Sequence, residues 1–149
     1  MRAVVQRVKY ASVRINGSLQ SSIQTGLLVY LGIKEDDQEK DSEYIIQKIL
    51  NLRVFDDANK VPNLSVMDTN GSILIVSQFT LYGDARHGRR PSYIEAGKPD
   101  NAKPLYDSFV EKINTLYPQI FTGIFQAEME IESVNDGPFT ILLDSRRGF

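Results

Sequence analysis

Apolar positions divide this chain into strands, two helices and turns before any chemistry is considered. Val4, Val5, Val8 and Val13 fall in a β-branched run that reaches Ile15 and predicts a first strand. Asn16-Gly17 follows. Both positions tolerate positive φ, so the pair predicts a tight hairpin with Leu19 to Ile23 returning. Leu27 to Ile33 is apolar without interruption, the pattern of a strand buried on both faces. Acidic residues then gather from Glu35 to Glu43, with Tyr44, Ile45, Ile46, Ile49 and Leu50 behind them at helical spacing. Acids at the start and Lys48 and Arg53 toward the end suit a helix dipole.

Polar residues and Pro62 predict a loop from Asp56 to Asn63, and Asn70-Gly71 a further turn. Ser72 to Leu81 reads as one long central strand, and Gly83 to Gly97, rich in Gly, Arg and Pro, as a surface loop. Pro99-Asp100 opens a second helix whose apolar face is Leu105, Phe109, Ile113 and Leu116, and Pro118 closes it. From Phe125 to Ser133 apolar and polar residues alternate, predicting a strand with one wet face. Asn135-Asp136-Gly137-Pro138 then reads as a turn, with Phe139 to Leu143 completing a hairpin. The charged tail, residues 144–149, is expected to be peripheral and frayed. The sum is one α+β domain over residues 1–149, with mostly antiparallel strands in a barrel-like core and two main helices.

Composition narrows the chemistry. There are no cysteines among the 149 residues, which excludes disulfides, thiolate metal sites and a cysteine nucleophile. No apolar segment approaches the roughly 20 residues that span a bilayer, and the first residues lack a signal-peptide core. A cytoplasmic protein without a membrane partner is the expectation. Net charge is −2, which argues against a broad grip on nucleic acid backbone and leaves room for a small footprint.

The one local positive concentration is Arg86, Arg89 and Arg90 around His87, with Lys98 and Lys103 further on. It reads either as a contact for an RNA end or as a solvated loop. His87 is the only histidine. Three neighbouring arginines are a poor setting for a group that must take up a proton, so a Ser-His-Asp triad is disfavoured. A metal site in the acid run is the weaker reading beside a solvated helix start. No metal and no cofactor are expected.

Two segments stand out by placement. At Ser77-Gln78-Phe79-Thr80-Leu81 an apolar strand turns polar near its end, where hydroxyls, an amide and backbone N–H groups could bind an ester carbonyl and its developing oxyanion. In a regular strand Gln78 and Thr80 share one face. Gly137-Pro138 is an ordinary turn pair, but X-Pro bonds alone adopt the cis form cheaply, and a cis turn would point two carbonyl oxygens one way.

These two segments together resemble the paired signature of the D-aminoacyl-tRNA deacylases. Met1 to Val8, Gly88-Arg89-Arg90-Pro91-Ser92-Tyr93, Leu105-Tyr106-Asp107 with Phe109, and Thr122-Gly123 with Phe125, Ala127 and Met129 resemble the family in the same order. Tyr93 stands where phenylalanine is more usual and Ser133 where an apolar residue is common, and the tail is longer than in many relatives. The resemblance implies a homodimer that hydrolyses the ester between a D-amino acid, or mis-attached glycine, and the terminal adenosine of tRNA. It implies that Gly137 and Pro138, with Asn135 beside them, reach into the partner's site, where backbone oxygens hold the substrate amino group and exclude L-residues. It also implies that Ser77, Gln78, Phe79 and Thr80 line the pocket, with the Phe79 N–H in the oxyanion role and the ribose 2′-hydroxyl assisting water. The rival readings are an unselective small-ester hydrolase using Thr80 or Ser77 as nucleophile, and a non-catalytic module for the tRNA acceptor end.

Overall fold

The computed structural model describes all 149 residues. Strand β1 (Arg2–Ile15) turns at Asn16-Gly17, both at positive φ, into β2 (Ser18–Ile23), and β3 (Gly26–Gly32) follows. Helix α1 (Glu39–Asn51) leads to a small hairpin, β4 (Phe55–Asp56) and β5 (Pro62–Leu64). Then come β6 (Ser72–Ser77), a 3-10 turn over Phe79–Tyr82, α2 (Pro99–Leu116), β7 (Ile120–Thr122) and β8 (Glu130–Asp144).

Strand β1 organises the sheet. Its first half pairs antiparallel with β3, its second half with β2, and its whole length with β8 on the other side. Beyond β3 the pairing becomes parallel, β3 with β6 and β6 with β7. The Ser21 hydroxyl donates to Thr122 O at 2.8 Å across the gap between β2 and β7, so the sheet nearly closes on itself. The expectation of a barrel-like α+β domain with mainly antiparallel strands holds, with a parallel seam that periodicity alone does not reveal.

Alternation then sorts side chains between two cores. Leu27, Val29 and Leu31 of β3, with Ile73 and Ile75 of β6, face the helices and meet Ile45, Ile49, Phe109 and Ile113. Leu28, Leu74 and Val76 point the other way, onto Val8, Ala11 and Val13. Burial of each such side chain stabilises by about 1.5–3 kcal/mol relative to exposure. The second helix buries Ala102, Tyr106, Phe109 and Ile113; Leu116, expected on that face, is 54 % exposed.

Four expectations are corrected here. Ser72 to Leu81 is not one strand, because the chain tightens into the 3-10 turn after Ser77. Phe125 to Met129 is turn and loop rather than strand, and β8 begins only at Glu130. There is no hairpin at Asn135 to Pro138: β8 runs past them on the same partner, Val8 facing Asn135 and Gln6 facing Thr140. The intervening residues form a bulge, which adds residues on one strand without reversing it. Finally, the start of the tail is docked rather than frayed. The Ser145 N–H donates to Met1 O at 2.9 Å, and the Arg146 guanidinium reaches both Asp36 oxygens at 2.9 and 2.6 Å.

Candidate active site

The polar end of β6 is built by that change of conformation. The Gln78 N–H still donates to Leu31 O at 2.8 Å, holding the strand end to β3. The N–H groups of Phe79 and Thr80 open the 3-10 turn, which has no side-chain cap, in the position whose amides lack a partner within a helical turn. The Gln78 and Thr80 side chains meet through the turn, the Gln78 amide donating to the Thr80 hydroxyl, rather than across a strand face. Phe79 swings outward, 56 % exposed, and packs edge-on against Tyr93 with ring centroids 5.1 Å apart.

A cavity of about 560 Å³ opens at this point. Ser77, Gln78 and Phe79 form one wall, Phe125 and Met129 another, and the Ala96–Pro99 segment a third. Thr80 does not line it. A few polar groups, Ser77 and Gln78 on one wall and Gln126 on another, therefore sit in a mainly apolar recess, the usual composition of a small-molecule site. Periodicity had assigned Phe125 and Met129 to a strand face; their role as a wall comes from the turn at 125–127 that breaks the alternation.

Asn135, Gly137 and Pro138 do not line this cavity. They lie in the β8 bulge, where the Gly137–Pro138 peptide is cis and Gly137 has φ +118°, a region L side chains rarely adopt. Both residues are exposed. Asn135 braces the bulge from within: its amide donates to the Thr140 hydroxyl at 3.0 Å and its carbonyl accepts the Phe139 N–H at 3.2 Å. The main anchor is one that sequence reasoning missed. Arg7, 7 % exposed, donates to Val54 O at 2.6 Å and Asp136 O at 3.3 Å, pairs with the Asp136 carboxylate at 3.2 Å, and lies 4.3 Å from the Phe139 ring centre. An arginine between Val5 and Val8 of an apolar strand was the available signal.

The basic loop is a narrow excursion closed by Asp84 and Ser92, which exchange two backbone hydrogen bonds of 2.8 Å. Arg86 folds back on Asp84 with contacts of 2.9 and 2.7 Å, and its guanidinium holds that carboxyl down at about 2. Arg89 and Arg90 are exposed, and neither makes an ion pair within the chain. His87 is exposed at the tip, away from the cavity lining. In the acid run Glu35 caps the second helix, Asp36 pairs with Arg146 and Asp41 accepts the Gln38 N–H at 2.9 Å, so these carboxylates serve the fold. No group of three or more His, Asp or Glu side chains is placed to hold a metal ion.

Comparison with known proteins gives a consistent picture. Residues 4–144 match the family model for D-Tyr-tRNA(Tyr) deacylase. A D-aminoacyl-tRNA deacylase of Thermosipho africanus is 54 % identical over 149 residues, covering 100 % of both chains. One of Koribacter versatilis is 53 % identical with the same coverage. Among solved structures, the c-Myc DNA Unwinding Element Binding Protein superposes with a TM-score of 0.92 at 44 % identity, covering 97 % of this chain and 98 % of that one. A structure titled as "a probable eukaryotic D-amino acid tRNA deacylase" has a TM-score of 0.85 at 17 % identity, with 96 % and 98 % covered, and bears on the fold alone.

Proposed function

The chain belongs to the D-Tyr-tRNA(Tyr) deacylase family, and from that premise we propose that it proofreads the chirality of aminoacyl-tRNA with a site shared between two subunits. Its activity is that of a D-aminoacyl-tRNA deacylase, a carboxylic ester hydrolase. The ester lies in the cavity with its carbonyl oxygen toward the N–H of Phe79. That amide is fixed before the reaction begins, so it stabilises the developing oxyanion without reorganisation. Water attacks the carbonyl carbon, assisted by the ribose 2′-hydroxyl of the RNA, and the 3′-oxygen leaves. An aminoacyl ester is already activated, so orientation and fixed dipoles suffice. No cofactor is invoked.

Chirality is set by the partner. The Gly137 and Pro138 carbonyl oxygens accept hydrogen bonds from the substrate amino group, and with the amino group and carbonyl both held, an L side chain is turned into the gate. Glycine, with no side chain, passes. The observation that carries this reading is the separation of the two segments within one chain. The cavity has Ser77–Phe79 at its wall, while Gly137 and Pro138 stand exposed on β8, whose outer edge has no strand beside it. Such an edge is a ready surface for a second copy. Arg89 and Arg90 are suited to acceptor-end phosphates, and the reaction belongs in the cytoplasm, where tRNA is charged. A nucleophilic role for Thr80 has less support, because its hydroxyl is engaged by Gln78 and it does not line the cavity.

Mixed subunits test the shared site. A cavity-filling chain, Ala127→Trp, is combined with a gate-blocked chain, Gly137→Ala. A cross-subunit site leaves the mixed dimer one intact centre and about half the wild-type rate, although either homodimer is inactive. A mixed dimer as dead as its parents would reject the arrangement.

A further inference from the structure

We propose that Glu35 is a positioning residue for the deacylase reaction, its carboxylate clasping the start of the second helix and thereby fixing one wall of the substrate cavity; this rests on the functional reading above. The wall is the segment Ala96–Pro99, which lies at the end of the long excursion beginning at Gly83. Apart from the edge-on contact of Tyr93 with Phe79, the middle of that excursion holds mainly to itself, through the bonds between Asp84 and Ser92. At its far end the attachments converge on three residues after β3. The Gly97 N–H donates to Ile33 O at 2.9 Å, and the Glu35 N–H donates to Glu95 O at 3.3 Å. Lys34 and Ala96 form a bridge, and a side-chain carbon on Gly97 would stand 3.3 Å from the Ile33 and Lys34 oxygens.

The Glu35 carboxylate completes this clasp with its two shortest bonds. One oxygen accepts the Lys98 N–H at 2.6 Å and the other the Asn101 amide at 2.7 Å. Lys98 is the residue before the helix and has no cap from its own side chain. Charge-assisted bonds of this length are the strong ones. The Lys98 N–H, ahead of the Asn101 amide, holds the Glu35 carboxyl below its usual range, consistent with an ionised clasp at neutral pH. Glu35 itself does not line the cavity. It acts through the wall, which touches the bound substrate in the ground and transition states alike, so a loosened wall weakens binding rather than the chemical step.

The test uses full-length protein with D-tyrosyl-tRNA as substrate, together with amide exchange at Gly97 and Lys98. Glu35→Ala is expected to speed exchange at both amides and to raise KM about tenfold while kcat stays within about twofold. Glu35→Gln keeps an acceptor for the Lys98 N–H and is expected to restore most of the wild-type KM. Asp68→Ala is the matched control, removing a carboxylate that caps the Ser65 turn outside the cavity. It is expected to lower stability and leave KM unchanged. Faster exchange with an unchanged KM would overturn the inference, as would unaltered exchange or a KM that rises equally in the Asp68 control. A wild-type protein that binds D-tyrosyl-tRNA but leaves its ester intact would instead fail the functional reading, and this inference with it.

Discussion

Single residues at the proposed gate carry sharper consequences than any residue of the core. Gly137 sits at φ +118°, and a side-chain carbon there would overlap the Phe139 ring and stand 3.1 Å from the Arg7 guanidinium. Gly137→Ala therefore strains the backbone at the proposed gate, at a cost of about 2 kcal/mol. The expected outcome is a melting temperature lower by about 6 °C and a D-ester hydrolysis rate at least about a hundredfold down. A variant that melts lower yet keeps full turnover would mean the bulge is structural only. Thr80 shows how far composition misleads at this scale. A threonine at a strand end reads as a possible nucleophile, and only the 3-10 turn reveals its hydroxyl bonded to the Gln78 amide.

At the scale of elements, the chain's periodicity made β1, β2, β3 and both helices legible, because burial there follows the period of the element. It failed where conformation changes within an apolar run. Ser72 to Leu81 is apolar enough for one strand, yet parallel pairing with β3 ends at Ser77 and nothing in residue type marks that limit. The same holds for Asn135 to Pro138, whose turn residues accommodate a bulge as readily as a hairpin. The paired segments were nevertheless recognisable as a signature, whereas Arg7, which holds the bulge, shows in the sequence only as a charge within an apolar strand, with nothing to say which groups it holds. Arg7→Met would leave Val54 O without its side-chain donor and the Asp136 carboxylate with only Lys9, 3.7 Å away. Since Asp136 is partly exposed, the cost is about 2 kcal/mol rather than that of a fully buried pair. The loss in D-ester turnover is expected to exceed what the change in chemical denaturation midpoint explains. Turnover that tracks stability alone would detach Arg7 from the gate.

For the whole molecule, acid should be the damaging extreme. Backbone and side-chain donors hold Glu35, Asp57 and Asp68 below their usual range, and Arg86 brings Asp84 to about 2. Groups depressed in the folded state contribute stability that is complete above their unfolded values near 4 and is lost as pH falls through the folded ones. The urea midpoint should therefore be level from pH 7 to about 5 and decline from about 4 toward 2; a flat profile across that window would contradict the assignment. A net charge of −2 argues against a broad grip on nucleic acid backbone and fits the proposed small footprint at the acceptor end. The proposed chiral gate leads to one decisive comparison: the lifetime of the ester in D-tyrosyl-tRNA and in L-tyrosyl-tRNA, each with purified protein and EDTA. Rapid loss of the D-ester with the L-ester untouched is the predicted result; equal loss of both, or survival of both, would contradict it.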